Sequence, residues 1–153
     1  MIVTRFEQTA LGQIGVSADD SAVTRLFLPG DNAPDGLIIG DNQLIGRAFL
    51  ELHAYLSGIL REFTLPLFPE GTAFMRAVWQ VLCDIPYGQT RSYGEIAAMM
   101  GNPKAARAVG LANNRNPIPL FIPCHRVIGA NGDLTGFRGG LDMKRHLLEL
   151  EQT

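Results

Sequence analysis

The chain is predicted to be an α+β protein, and three observations carry that reading. Strand-length apolar segments at 2–7, 13–17 and 22–28 are separated by Gly12 and by Asp19-Asp20-Ser21, the pattern of an antiparallel meander. Apolar residues then recur at helical spacing, first as Ile45, Phe49, Leu52 and Leu56 and again beyond Thr72. Pro66, Pro69 and Gly71 interrupt the chain between those two helical stretches. The boundary therefore divides a sheet-plus-helix domain at 1–68 from a mainly helical domain at 69–153. At 153 residues, 46% hydrophobic and 18% charged, the chain can bury a core without a disulfide or metal staple. No apolar run approaches the roughly 18 residues of a membrane span, and residues 1–7 lack the basic-then-apolar start of a secretory signal. A soluble cytoplasmic protein without membrane contact is expected.

Each element has its own signal. Residues 29–36, rich in Pro, Gly, Asp and Asn, read as a loop, and Gly58 stops the first helix. In the next helix Phe74, Val78, Val81 and Leu82 line one face, with Trp79 and Phe74 assigned to the core, until Ile85-Pro86-Tyr87-Gly88 ends it. Ser92-Tyr93-Gly94-Glu95 has the form of a capping box, and Gly101 can take the left-handed stop at the end of that helix. Asn102-Pro103 suggests an N-cap followed by a first-turn proline, so a further helix is expected at 103–113. Two short helices joined by Gly-Asn form a helix-turn-helix candidate. Ala105, Ala106, Ala108, Gly110 and Ala112 make its second helix slim, while Lys104 and Arg107 reach outward. Such a helix can approach a groove closely and present its amino end to phosphate.

Charge is unevenly placed. The net charge is −2, yet residues 86–126 carry Arg91, Lys104, Arg107, Arg115 and Arg126 against Glu95 alone. A solvated face explains such a run as readily as a nucleic-acid site, so charge is combined with the turn and the slim helix. Any nucleic-acid site must be local.

Pro117, Pro119 and Pro123 exclude a helix and stiffen an extended lead into Cys124-His125-Arg126. An ordinary thiol with a pKa near 8.5 needs a base or cationic surroundings to act as a nucleophile at neutral pH. His125 can supply the base, acting through a water, and Arg126 adds positive potential. A lone cysteine is also an ordinary small core residue. That is the reading taken for Cys83. His53 and His146 are assigned to helix surfaces, and no spacing suggests a metal site. Asn131-Gly132-Asp133 reads as a tight turn.

Pro123-Cys124-His125-Arg126-Val127 resembles the active-site signature of the O6-alkylguanine-DNA alkyltransferases. The likeness extends through residues 85–88, 91–97, 106–110, Asn116-Pro117, the 136–140 loop and the 144–151 helix, covering roughly 72–151. The resemblance implies a winged helix-turn-helix and a cofactor-free, single-turnover reaction on duplex DNA. The alkyl group of a flipped-out O6-alkylguanine would pass irreversibly to Cys124. It further implies that His125 deprotonates Cys124 through a water, that Glu151 orients His125 and that Asn116 braces the segment. Arg107 would fill the stack that the base leaves, and Tyr93 would swing the nucleotide and hydrogen-bond the guanine. Lys104, Ala106, Ser92 and Asn114 would contact DNA, and Val127, Phe137 and Arg138 would line the pocket. Phe137 stands where the family usually has Tyr, and Arg138 where a small residue is common. No obligate protein partner is implied, and a monomer is expected. The alternative is a non-catalytic lesion-binding protein or regulator on the same fold, against which the retained Cys124 argues. A Cys-His hydrolase would leave the helix-turn-helix unexplained.

Overall fold

A computed structural model describes residues 1–153. Its backbone divides into two compact units, Met1–Glu70 and Gly71–Thr153.

The first unit is an antiparallel meander of β1 (Val3–Thr9), β2 (Gly12–Ala18) and β3 (Val23–Phe27), in the order β1-β2-β3. Val3 opposes Ala18 and Thr9 opposes Gly12. Gly12 takes φ +116°, a conformation that favours glycine at the hairpin. Short parallel bridges, Thr4 to Ile39 and Val23 to Leu67, cover the two outer strands and limit their exposed edges. Helix α1 (Gln43–Leu56) is capped by Asn42 and packs against the sheet through Ile45, Ala48, Phe49 and Leu52. Tyr55 is fully buried on that helix, whereas Leu56, expected on the apolar face, is only half-buried. On the helix surface His53 is paired with Glu7.

In the second unit, Thr72 caps α2 (Ala73–Cys83), with Met75 N–H donating to its hydroxyl at 3.1 Å. Val78, Trp79 and Leu82 form the buried face, and the Trp79 indole donates to the Ala112 carbonyl at 2.9 Å. Phe74 does not join that core: at the first turn of α2 it is 38% exposed. Cys83, expected to be buried, lies on an exposed position at the end of α2. Neighbouring atoms still crowd its thiol enough, together with Asp84, to push it up to about 11.

The capping box forms as expected at α3 (Tyr93–Met99): Ser92 Oγ accepts from Glu95 N–H at 3.0 Å and Glu95 Oε1 from Ser92 N–H at 2.9 Å. Gly101, at φ +78°, ends that helix. Helix α4 (Ala106–Asn114) begins later than expected and has no side-chain cap. The reason lies in the preceding turn. Gly101 N–H donates to Ala98 and Asn102 N–H to Ala97, the paired bonds of a Schellman stop. Asn102 thus completes α3 instead of opening α4, and Pro103-Lys104 become a turn. Just ahead of α3, β4 (Arg91–Ser92) pairs in parallel with β5 (Val127–Ile128), and α5 (Leu141–Leu150) closes the unit.

Candidate active site

The segment before Cys124 is a folded loop rather than the extended lead expected from its prolines. Leu120 has φ +74°, and Ile122 N–H returns to the Ile118 carbonyl at 2.9 Å. Asn116 holds this reversal together. Its side chain accepts from Ile118 N–H at 2.9 Å and donates to the Ile122 carbonyl at 2.9 Å. One buried amide therefore supplies the pairing that the prolines cannot. A single 3-10 turn, Cys124–Arg126, follows, and Asn113 Nδ2 donates to the Cys124 carbonyl at 3.3 Å.

Behind Cys124 lies a buried charged cluster. His125 Nε2 meets Glu151 Oε2 at 2.8 Å, and both side chains are almost wholly enclosed. Arg126 donates twice to the same carboxylate, at 2.8 and 3.0 Å, and once to the Ile85 carbonyl at 2.8 Å. Its guanidinium also stands over the Tyr87 ring. Arg126 is 7% exposed, so its charge serves Glu151 and is not part of the exposed basic stretch suggested by counting residues. Gly88 N–H also donates to the carboxylate, at 3.3 Å.

Lys144 is a member of this site that the sequence reading did not single out. It is fully buried on α5, and Nζ donates to the Val127 carbonyl at 2.6 Å and the Thr135 carbonyl at 2.7 Å. A signal was available: Lys144, Leu147 and Glu151 fall at i, i+3 and i+7, on one helix face. Thr135 also engages Tyr93, whose hydroxyl donates to the Thr135 carbonyl at 3.2 Å and accepts from its hydroxyl at 3.1 Å.

Burial dominates the titration of the site. It pushes the Cys124 thiol up, while a hydrogen bond from Asn116 and the charges of Arg138 and Lys144 pull in the opposite direction. Burial holds the His125 imidazole below its usual value despite Glu151. The same penalty lowers Lys144 to about 8. At neutral pH these directions describe a protonated thiol beside a neutral imidazole, ready for proton transfer within the site.

The expected residues fall into two groups. Cys124, His125, Glu151, Asn116, Val127 and Arg138 are connected through the contacts above and Arg138 Nη1, which donates to the Asn116 carbonyl at 3.0 Å. Tyr93 joins them through Thr135 and Lys144. Lys104, Arg107 and Asn114 instead occupy the exposed side of the helix-turn-helix, with Ala106 half-buried there. Asn114 also packs its amide against Gly136. The Ser92 hydroxyl is committed to the helix cap, and Phe137 is half-buried in the loop before α5.

Residues 73–153 match the family model described as the 6-O-methylguanine DNA methyltransferase DNA-binding domain. The methylated-DNA–protein-cysteine methyltransferase of Methanosarcina acetivorans is 49% identical over 148 residues, covering 94% of each chain. Its namesake from Mycobacterium leprae is 46% identical and covers 99% of this chain and 93% of the relative. The structure of Mycobacterium tuberculosis OGT in complex with DNA superposes with a TM-score of 0.92 at 46% identity, covering 97% of this chain and 92% of that one. With its reactive-cysteine segment, buried His-Glu pair and helix-turn-helix, the chain belongs to the methylated-DNA–protein-cysteine methyltransferase family.

Proposed function

We propose that this protein repairs O6-alkylguanine in duplex DNA by a single, irreversible transfer of the alkyl group to Cys124. The observation that carries this reading is the placement of Cys124 at the head of the buried His125-Glu151-Arg126 cluster, in the same unit as an exposed basic helix. The pairing of His125 Nε2 with Glu151 leaves Nδ1 to take the thiol proton, directly or through a water. The thiolate attacks the alkyl carbon, an S–C bond forms and the C–O6 bond breaks. Its electron pair passes to the guanine ring, which gains a proton to end as ordinary guanine. Tyr93 and Lys144, which share the Thr135 carbonyl, are the donors assigned to that developing negative charge, where positioned donors lower a barrier. The product is a thioether with no ready reverse path, so each molecule acts once and no cofactor enters the balance.

Arg107 is exposed on α4, where it can enter the stack vacated by a flipped base, offsetting part of the few kcal/mol that flipping costs. Lys104 and the uncapped amino end of α4 offer phosphate contacts, with Ala106 allowing close approach. Asn114 and Ser92 border the same surface. Val127, Phe137 and Arg138 are the residues assigned to the alkyl pocket, with Phe137 offering a ring without a hydroxyl. The protein is taken to act as a cytoplasmic monomer; no helix is long and apolar enough to cross a membrane.

Mass spectrometry after mixing the protein with a duplex containing one O6-methylguanine tests the reading. One added methyl on the Cys124 peptide, stopping at one per molecule, is the expected result. Cys124→Ala should remove transfer and still retain the damaged duplex. An unmodified wild-type protein that holds the lesion would instead mark a binding protein or regulator.

A further inference from the structure

We infer that the turn at 85–88 and Gln152 form a clamp that fixes the Glu151 carboxylate on His125, with Tyr87, Gly88 and Gln152 as positioning residues for the proton transfer. This rests on the alkyl-transfer reading above, in which His125 takes the thiol proton.

Glu151 is the C-cap of α5, where a helix runs out of backbone partners of its own. Helix ends fray, whereas a carboxylate that directs an imidazole must be held within about 0.5 Å of its working place. Backbone bonds from Glu151 to Leu147 and from Gln152 to Glu149 hold the main chain but do not aim the carboxylate. The turn after α2 supplies the rest. The Tyr87 hydroxyl donates to the Leu150 carbonyl at 3.3 Å, and Gly88 N–H donates to Glu151 Oε1 at 3.3 Å. Gln152 Nε2 donates back to the Gly88 carbonyl at 2.9 Å. Residues 150, 151 and 152 are thus each bonded to this one turn.

So close an approach requires glycine. Gly88 takes φ +80°, and a Cβ there would stand 3.0 Å from the Glu151 carbonyl oxygen. The turn also holds the cation of the cluster. The Ile85 carbonyl accepts from Arg126 at 2.8 Å, and the Tyr87 ring lies 5.7 Å from its guanidinium. Arg126 in turn bonds both Glu151 oxygens. The carboxylate is therefore gripped directly by Gly88 and indirectly through Arg126, and in that position its Oε2 meets His125 Nε2 at 2.8 Å. A neutral imidazole so paired is fixed as the Nε2–H tautomer, with Nδ1 as the ring's acceptor.

The test combines Tyr87→Phe with Gln152→Ala in the full chain, which keeps the Tyr87 ring for Arg126 and removes both side-chain bonds of the clamp. Single-turnover transfer at saturating O6-methylguanine duplex should slow about threefold to tenfold, the range of one or two net hydrogen bonds. Nitrogen NMR of His125 should show the Nε2–H tautomer in the wild type and a growing share of the Nδ1–H form in the double variant. Gln152→Glu, similar in shape but without a donor when ionised, should slow transfer as Gln152→Ala does. Gln152→Lys keeps a donor and should recover part of the loss. An unchanged rate in the double variant overturns the clamp. So does a slower rate with an unaltered His125 tautomer, because that pattern makes these residues structural only. A wild type that transfers no alkyl group overturns the underlying function instead, and its His125 signals still decide whether the clamp sets the tautomer.

Discussion

Burial keeps the proton on Cys124, so the reactivity of this thiol depends on the neighbour that can remove it. Were a preformed thiolate the reactant, the transfer rate would rise about tenfold per pH unit until the thiol titrates. Proton transfer to a neutral His125 instead gives a plateau. Because burial holds that imidazole below 6.5, the plateau should extend past 6.5 toward acid before the rate declines. The stability linkage has the same sign: a histidine depressed in the folded state contributes fully above its unfolded value, and that contribution is lost as pH falls through the folded one. Single-turnover rates measured from about pH 5 to 8 check this; a log-linear rise through that range would remove His125 from the base role. Arg126 makes a second prediction. Arg126→Met removes both guanidinium bonds from the enclosed Glu151 carboxylate. Breaking a buried pair in this way costs about 3–5 kcal/mol, read as a lower urea midpoint with an unchanged slope. A change below about 0.5 kcal/mol, the usual range for a surface substitution, would show that the pair is not structurally important.

At the scale of elements, the helix-turn-helix depends on how α3 ends. Gly101 and Asn102 close α3 with backbone bonds, which moves the start of α4 to Ala106 and leaves Lys104 in the turn. The exposed stripe of α4 then contains Arg107, Ala108, Leu111 and Asn114, while Val109, Ala112 and Asn113 face inward. Arg107 therefore belongs to the slim, exposed outer face. Arg107→Ala should slow transfer from a damaged duplex by at least tenfold and leave reaction with free O6-methylguanine base nearly unchanged, as the loss of about 1.4 kcal/mol or more in DNA-dependent steps alone would do. Equal slowing on both substrates would exclude the finger role. The capping box was legible because its bonds are made within four consecutive residues. The shifted helix start was not, because Asn102 had two backbone roles available and packing of α3 selected one.

For the whole molecule, charge separates the two units. Residues 1–68 carry four Arg against eight acidic residues, whereas the exposed cations Arg107, Lys104 and Arg115 belong to the second unit. Binding to undamaged duplex should weaken steeply as salt rises, with a log-log slope of about −2 to −4 for a few phosphate contacts. A flat response in a titration would mean that this surface does not face DNA. The amino-acid sequence by itself determined the α+β class, the three-strand meander, the helix spacing and the identity of the cysteine segment. Those features rest on period, turn chemistry and residues close together in the chain. Only the tertiary structure decided that Arg126 turns inward, that Phe74 and Cys83 lie outside the core, that residues 117–123 fold back, and that Lys144 enters the site. Each depends on which distant groups compete for a buried position. Glu151 can recruit Arg126, and two carbonyls can recruit Lys144, only after folding brings them within hydrogen-bond distance and removes the water that would otherwise satisfy them.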